Sequence, residues 1–129
     1  MARRTSINVH GAKHTNPIPN ACRIGGLIVS GAIGGGDPQT GEMPPSLEAQ
    51  AANMFRNLRD IVEKGGATTD DIIKLTVFLK DANDRKALNV EWLKMFPDAE
   101  SRPARHTQVL TGAVNKDSLI MCDVMAVVG

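Results

Sequence analysis

The 129 residues carry 15 Lys and Arg against 14 Asp and Glu, a net charge of +1, with 3% aromatic residues and no tyrosine. That balance excludes a protein that lives on nucleic-acid phosphates, which needs a basic excess, and one that stacks bases on aromatic side chains. With 42% hydrophobic and 22% charged residues, the chain reads as one soluble domain, residues 1–129, whose core is built from Ile, Leu, Val, Ala and Met.

The start, residues 1–6, is basic but no apolar run follows it, and no stretch is long enough to span a membrane. The expectation is a cytoplasmic protein with no membrane or nucleic-acid partner. Cys22 and Cys122 have no metal or redox spacing and read as buried reduced thiols. No motif for a metal or an organic cofactor is present.

In chain order, residues 7–9 predict a short edge strand. Residues 14–20, with two prolines and two asparagines, predict a loop. Residues 21–24 and 27–32 around Gly25-Gly26 predict a β-hairpin, because glycine supplies the positive φ that a two-residue turn needs. The second of these strands is almost continuously apolar, which predicts a central, covered position. Residues 33–41 read as a turn-rich loop. Its glycines lack the Gly-Lys-Ser/Thr ending of a phosphate-binding loop, so ordinary turn chemistry is the stronger reading. Backbone amides near Ser30 and Gly31 are still candidates to meet a small anion.

Ser46 is placed to cap a first helix that ends at Gly65-Gly66. Leu47, Ala51, Met54, Phe55, Leu58, Ile61 and Val62 form its apolar stripe, with Gln50, Asn53, Arg56, Asn57, Asp60 and Lys64 on the other side. Residues 68–71 predict a turn. Residues 72–79 predict a strand with Ile73, Leu75, Val77 and Leu79 on one face. Asp81 or Asn83 is the expected cap of a second helix, whose buried stripe is Leu88, Trp92, Met95 and Phe96. Asn89 sits beside that stripe.

Pro103 fixes its own φ and pushes Arg102 towards an extended conformation. A strand then begins with Arg105 and Thr107 on one face and His106 and Gln108 on the other. Read alone, Arg105 is either a solvated surface arginine or an anion grip whose planar fork matches a carboxylate. After a connection over residues 111–117, residues 118–128 predict a last strand that is apolar on both faces except at Asp123. A carboxylate there is costly unless paired or functional. It is either a salt-bridge partner of Arg23 or Arg105, or a general acid/base.

These elements predict an α+β fold, a mixed β-sheet with two helices packed on one face. The other sheet face is apolar with no helix left to cover it, which predicts a homo-oligomer.

Several stretches together carry a family likeness: Asn16-Pro17-Ile18-Pro19-Asn20-Ala21, Val29-Ser30-Gly31, Asp37-Pro38-Gln39-Thr40-Gly41-Glu42, Gly65-Gly66, Leu88-Asn89-Val90-Glu91-Trp92, Pro103-Ala104-Arg105 and Cys122-Asp123-Val124. In this order, over nearly the whole length, the chain resembles the RidA family, also called YjgF or L-PSP. The resemblance implies a chorismate-mutase-like α+β homotrimer with active sites in clefts between subunits. It implies hydrolysis of reactive enamine or imine intermediates to 2-keto acids and ammonia, without a cofactor.

By the same resemblance Arg105 binds the substrate carboxylate. Ser30 and Gly31 supply polar and backbone contacts, and Asn89 and the last-strand acid Asp123 complete the cleft. The chain departs from the family pattern at four places. Asn20 stands near the position of a family tyrosine, Asp123 replaces a glutamate, Thr107 stands where many members have cysteine, and His106 replaces a small residue. The expected catalytic set is therefore Arg105, Asp123 and Thr107, with Ser30, Gly31, Asn89 and Asn20 contacting an imino or enamino carboxylate. The alternatives are a trimeric carboxylate-binding module without turnover and an aminomuconate-type deaminase of aromatic catabolism.

Overall fold

A computed structural model describes residues 3–9, 16–113 and 115–129. His14 and Thr15 of the first expected loop, Met1 and Ala2 of the basic start, and Val114 of the last connection lie outside the described residues. The elements are β1 (Thr5–Ile7), β2 (Ala21–Ile24), β3 (Leu27–Ser30), β4 (Ile33–Gly34), α1 (Leu47–Lys64), a 3-10 turn (Thr69–Asp71), β5 (Ile72–Leu79), α2 (Lys86–Met95), β6 (Ala104–Val109) and β7 (Ile120–Val127). The strands form one mixed sheet in the order β1-β2-β3-β7-β5-β6, with β4 also paired to β7. Only β5 and β6 are parallel, joined through α2.

The hairpin forms as expected. Gly25 takes φ +56°, and a side chain at Gly26 would collide with the Val128 carbonyl at 2.6 Å. The Ser46 hydroxyl accepts from the Ala49 amide to cap α1. Met54, Leu58 and Val62 are fully buried between α1 and the sheet, and Phe55 and Ile61 almost so. Each contributes about 1.5–3 kcal/mol of burial. Among the described residues, no helix is long and apolar enough to cross a membrane.

The structure corrects the sequence reading at several points. The first strand is Thr5–Ile7, in register with residues 21–23, rather than residues 7–9. The turn-rich loop contains a short strand, β4, because Ile33 and Gly34 pair with Cys122 and Met121. Gln50 is completely buried instead of facing water: its side chain donates to the Pro44 and Asp117 carbonyls and accepts from the Leu119 amide. Asn53 and Asn57 are half-buried and donate to the carbonyls of Gly34, Gly35 and Gly36. The glycine run is thus a packing loop. A Cβ on Gly35 would lie 2.8 Å from Gln50 Cα.

In β5 a bulge between Ile72 and Lys74 turns Ile73 out to solvent and brings Ile72 into the core. The second helix is capped by Arg85, not by Asp81 or Asn83, and without a side-chain cap bond. Asp81 instead accepts from the Asn83 amide within its own turn. β3 ends at Ser30, two residues early, and β7 spans Ile120–Val127 rather than residues 118–128.

One face of the sheet buries Ile28, Leu75, Val77, Leu79, Ile120, Cys122, Val124 and Ala126 under the helices. The other face is open. There Leu27 and Val127 are 45% and 43% exposed, with Ile24, Val29 and Met125 beside them. So β3 is central but covered on one side only. In β7 likewise one face lies under the helices, and the other, apolar except at Asp123, is open in the single chain.

Candidate functional site

Arg105 is the second residue of β6, an edge strand laid parallel against β5. Its register partner is Leu75, a core residue, so its side chain leaves the sheet on the helix side. The guanidinium carbon lies 4.9 Å from the centre of the Trp92 ring, within cation–π range. Trp92 in turn packs edge-on against Phe96, with ring centres 4.8 Å apart. Arg105 Nη1 is buried and has no hydrogen-bond partner among the described residues. A buried donor left unmet is unusual, and a charged one is more costly still. Burial first, and then the nearby charge of Arg85, hold the pKa of Arg105 below the ordinary arginine value.

Thr107 shares this face, paired with Val77 and half-buried. Asn89 lies on α2 one helical step from Trp92 and is exposed. Arg85, Asn89 and Trp92 follow one another at i+4 and i+3, so one stripe of α2 runs towards the Arg105 guanidinium. Trp92 is buried in the core as its place on the apolar stripe predicts, and its ring also meets Arg105. Sequence reading gives Arg85 no role; the signal for it is that same stripe, basic at one end and aromatic at the other.

Ser30, Gly31 and Asn20 form a second group where β3 gives way to β4. Ser30 Oγ accepts from the Val124 amide at 2.8 Å and donates to the Gly31 carbonyl. It fills the gap in the β7 ladder between the pairings of Val29 and Ile33. The Gly31 amide donates to the Asn20 carbonyl, so it is not open to a ligand. Asn20 is buried and its Oδ1 accepts from the Val9 amide.

Asp123 lies next to Val124 on β7, half-buried, and its register partner on β5 is Thr76. Thr76 alternates with Leu75 and Val77, so Asp123 leaves the sheet on the open face. Neither expected salt bridge forms. Arg105 points to the opposite face, and Arg23 donates instead to the carbonyls of Gly25 and Gly65. His106 also lies on the open face, beside Thr76, where its ring nitrogen Nδ1 meets the Gln108 amide at 3.2 Å. Among the described residues the only ion pair is Lys94 with Glu91. Both cysteines are free. Cys122 is buried, as expected, whereas Cys22 is only half-buried. Burial, with a further push from the charge of Asp123, raises the Cys122 thiol far above its ordinary range.

The structure thus puts Arg105 and Thr107 on the helix side, with Asn89 on the stripe of α2 that carries Trp92. It places Ser30, Gly31 and Asn20 in a separate hydrogen-bonded group and sends Asp123 to the other face.

The architecture defines the class: an α+β protein with two helices on one face of a mixed sheet and, at its edge, a half-buried arginine whose Nη1 has no hydrogen-bond partner among the described residues. The family model described as endoribonuclease L-PSP matches residues 14–128, and the chain belongs to this RidA, YjgF or L-PSP family. A RutC family protein of Pyrococcus abyssi is 34% identical over 128 residues, 98% of either chain. The 2-iminobutanoate/2-iminopropanoate deaminase of Escherichia coli is 31% identical over 111 residues, 86% of this chain and 87% of that one. The crystal structure of Escherichia coli TdcF with bound serine superposes with a TM-score of 0.85 at 27% identity, covering 97% of this chain and 99% of that one.

Proposed function

We propose that the protein is a 2-imino or enamino acid deaminase, releasing a 2-keto acid and ammonia, with Arg105 as the carboxylate clamp. The observation that carries this reading is the buried Arg105 Nη1, which has no hydrogen-bond partner among the described residues and belongs to a guanidinium lying over the Trp92 ring. A carboxylate accepts two parallel hydrogen bonds from such a fork. The relatives support the same chemistry: one is named a deaminase of 2-imino acids, and another carries serine, itself a carboxylate.

Once the carboxylate is held, the imine carbon is presented to water. Water adds to the C=N bond, and its proton passes to the nitrogen through an acid/base group, assigned here to Asp123. The C–N bond of the resulting carbinolamine then breaks, ammonia leaves and the C=O bond forms. An enamine first takes a proton on carbon to become the imine. Positioning and proton shuttling are all that this reaction asks of the protein. Thr107, beside Arg105, and Asn89 are assigned polar contacts to the substrate, and Ser30, Gly31 and Asn20 are assigned to the facing wall.

Because Arg105 and Asp123 leave opposite sheet faces, a site that uses both is completed between subunits. The exposed Ile24, Leu27, Val29, Met125 and Val127 supply the apolar surface for that assembly. The reading is a homotrimer in which one subunit contributes the arginine and the next the acid.

The test generates 2-iminobutanoate in place with an amino-acid oxidase and follows 2-oxobutanoate release. The protein should accelerate release well above the spontaneous rate. Release no faster than in buffer, together with measurable carboxylate binding, would instead indicate a binding module.

A further inference from the structure

Arg105 is not the only cation in this region: Arg85 is near enough for its charge to act on the Arg105 guanidinium. Arg85 caps α2 at the start of the stripe that leads through Asn89 to Trp92, on whose ring the Arg105 guanidinium lies. From Arg85 to Trp92 is seven residues, about 10 Å along the helix axis. Arg85 is anchored by one bond, from Nε to the Ala82 carbonyl at 2.9 Å, which leaves its terminal nitrogens free of any described hydrogen bond.

No described acid neutralises either arginine, although 14 Asp and Glu are present in the chain. Asp81 and Asp84 stand close to Arg85 in sequence, yet neither pairs with it. Asp81 turns its carboxylate to the Asn83 amide. The Arg85 charge thus acts on the Arg105 guanidinium, and among the described residues no acid pairs with either. A ligand with one anionic group satisfies only one of them. A ligand with two, several bonds apart, satisfies both, and each charge-assisted contact is of the stronger kind.

We propose that the site prefers 2-imino or enamino dicarboxylates, with Arg105 holding the carboxylate beside the imine carbon and Arg85 holding the distal one. This rests on the deaminase reading above for its chemistry, but its selectivity is testable without turnover. Arg85 is exposed and makes no side-chain cap bond, so its replacement gives up the bond to the Ala82 carbonyl and touches no core residue.

The experiment has two arms. In the first, 2-iminosuccinate and 2-iminobutanoate are generated in place by oxidases from aspartate and 2-aminobutanoate, and kcat/KM is measured for wild type, Arg85→Met and Arg85→Lys. The ratio of diacid to monoacid should be at least tenfold in wild type. It should fall at least tenfold in Arg85→Met, with Arg85→Lys in between, since an ammonium keeps the charge without the fork. In the second arm, calorimetry compares the binding of 2-oxoglutarate and 2-oxobutanoate to the same three proteins. If no imine is turned over but 2-oxoglutarate binds at least tenfold tighter, and Arg85→Met erases that gap, the diacid preference stands and the deaminase reading falls. If imines are turned over with no diacid preference, or if Arg85→Met slows both imines equally, the diacid preference is overturned and the deaminase reading stands.

Discussion

Replacing Arg105 by alanine removes the one buried side-chain donor without a hydrogen-bond partner among the described residues. Its Nη1 makes no hydrogen bond to the described residues, so a bound carboxylate gains a contact without displacing one of theirs. A charge-assisted hydrogen bond is worth about 1.5–3 kcal/mol, and a bidentate pair about twice that. At 1.4 kcal/mol per tenfold, the loss in kcat/KM is about two to four orders of magnitude. The same change should alter stability little. It gives up a contact with Trp92 worth about 0.5–2 kcal/mol and relieves a buried, unmet donor of similar cost. Arg105→Lys should recover little activity, because the planar fork is lost. The assay follows keto-acid or aldehyde release from two imines, one with a carboxylate and one without. Wild type should strongly prefer the first, and Arg105→Ala should lose that preference with almost no further effect on the second. If the variant slows both imines equally, or slows neither, Arg105 is not the clamp.

Other perturbations follow from the same geometry. Asp123→Asn keeps the shape of a half-buried side chain but cannot exchange protons, so it should assemble like wild type and lose most turnover in the keto-acid assay; undiminished turnover would move the acid/base role elsewhere, with His106 the next candidate on the open face. Light scattering at micromolar concentration should give the mass of a trimer, and Leu27→Glu, placing charge on the open apolar face, should shift it towards monomer; a monomeric wild type would remove the inter-subunit site. Cys122 gives a pH prediction. Its folded pKa is raised by burial and by Asp123, so the native state holds the proton after an unfolded thiol has lost it. Stability from this group is complete below the unfolded thiol's value of 9.0 and declines above it, by up to about 1.4 kcal/mol per pH unit; urea titrations should show that alkaline slope reduced in Cys122→Ala.

What the sequence discloses is what its own neighbours determine. Ser46, the 3.6-residue stripe and Gly65 fix α1 from within twenty residues. Pro103 and simple alternation fix β6, and with it the separation of Arg105 and Thr107 from His106 and Gln108. The misplaced elements depend on distant partners. The β5 bulge exists because Ile72 and Lys74 oppose the consecutive residues Ala126 and Met125, which nothing between residues 68 and 80 reveals. Gln50 looks solvated in its helix because two of its partners, Asp117 and Leu119, lie 67 and 69 residues away.

The site follows the same rule. Residue types and spacing pick out Arg105 and Asp123, but their relation requires the sheet order, with β5 between β6 and β7. Leu75 sets the side for Arg105, and Thr76, one residue on, sets the opposite side for Asp123. Two residues that a linear motif treats as partners are thereby kept apart within one chain. In the proposed trimer the apolar open face beside Asp123 would serve the chemistry as well as the assembly. A second copy docked there would bring its Arg105 edge, with Trp92 behind it, towards the acid that the same chain holds out of reach of its own arginine.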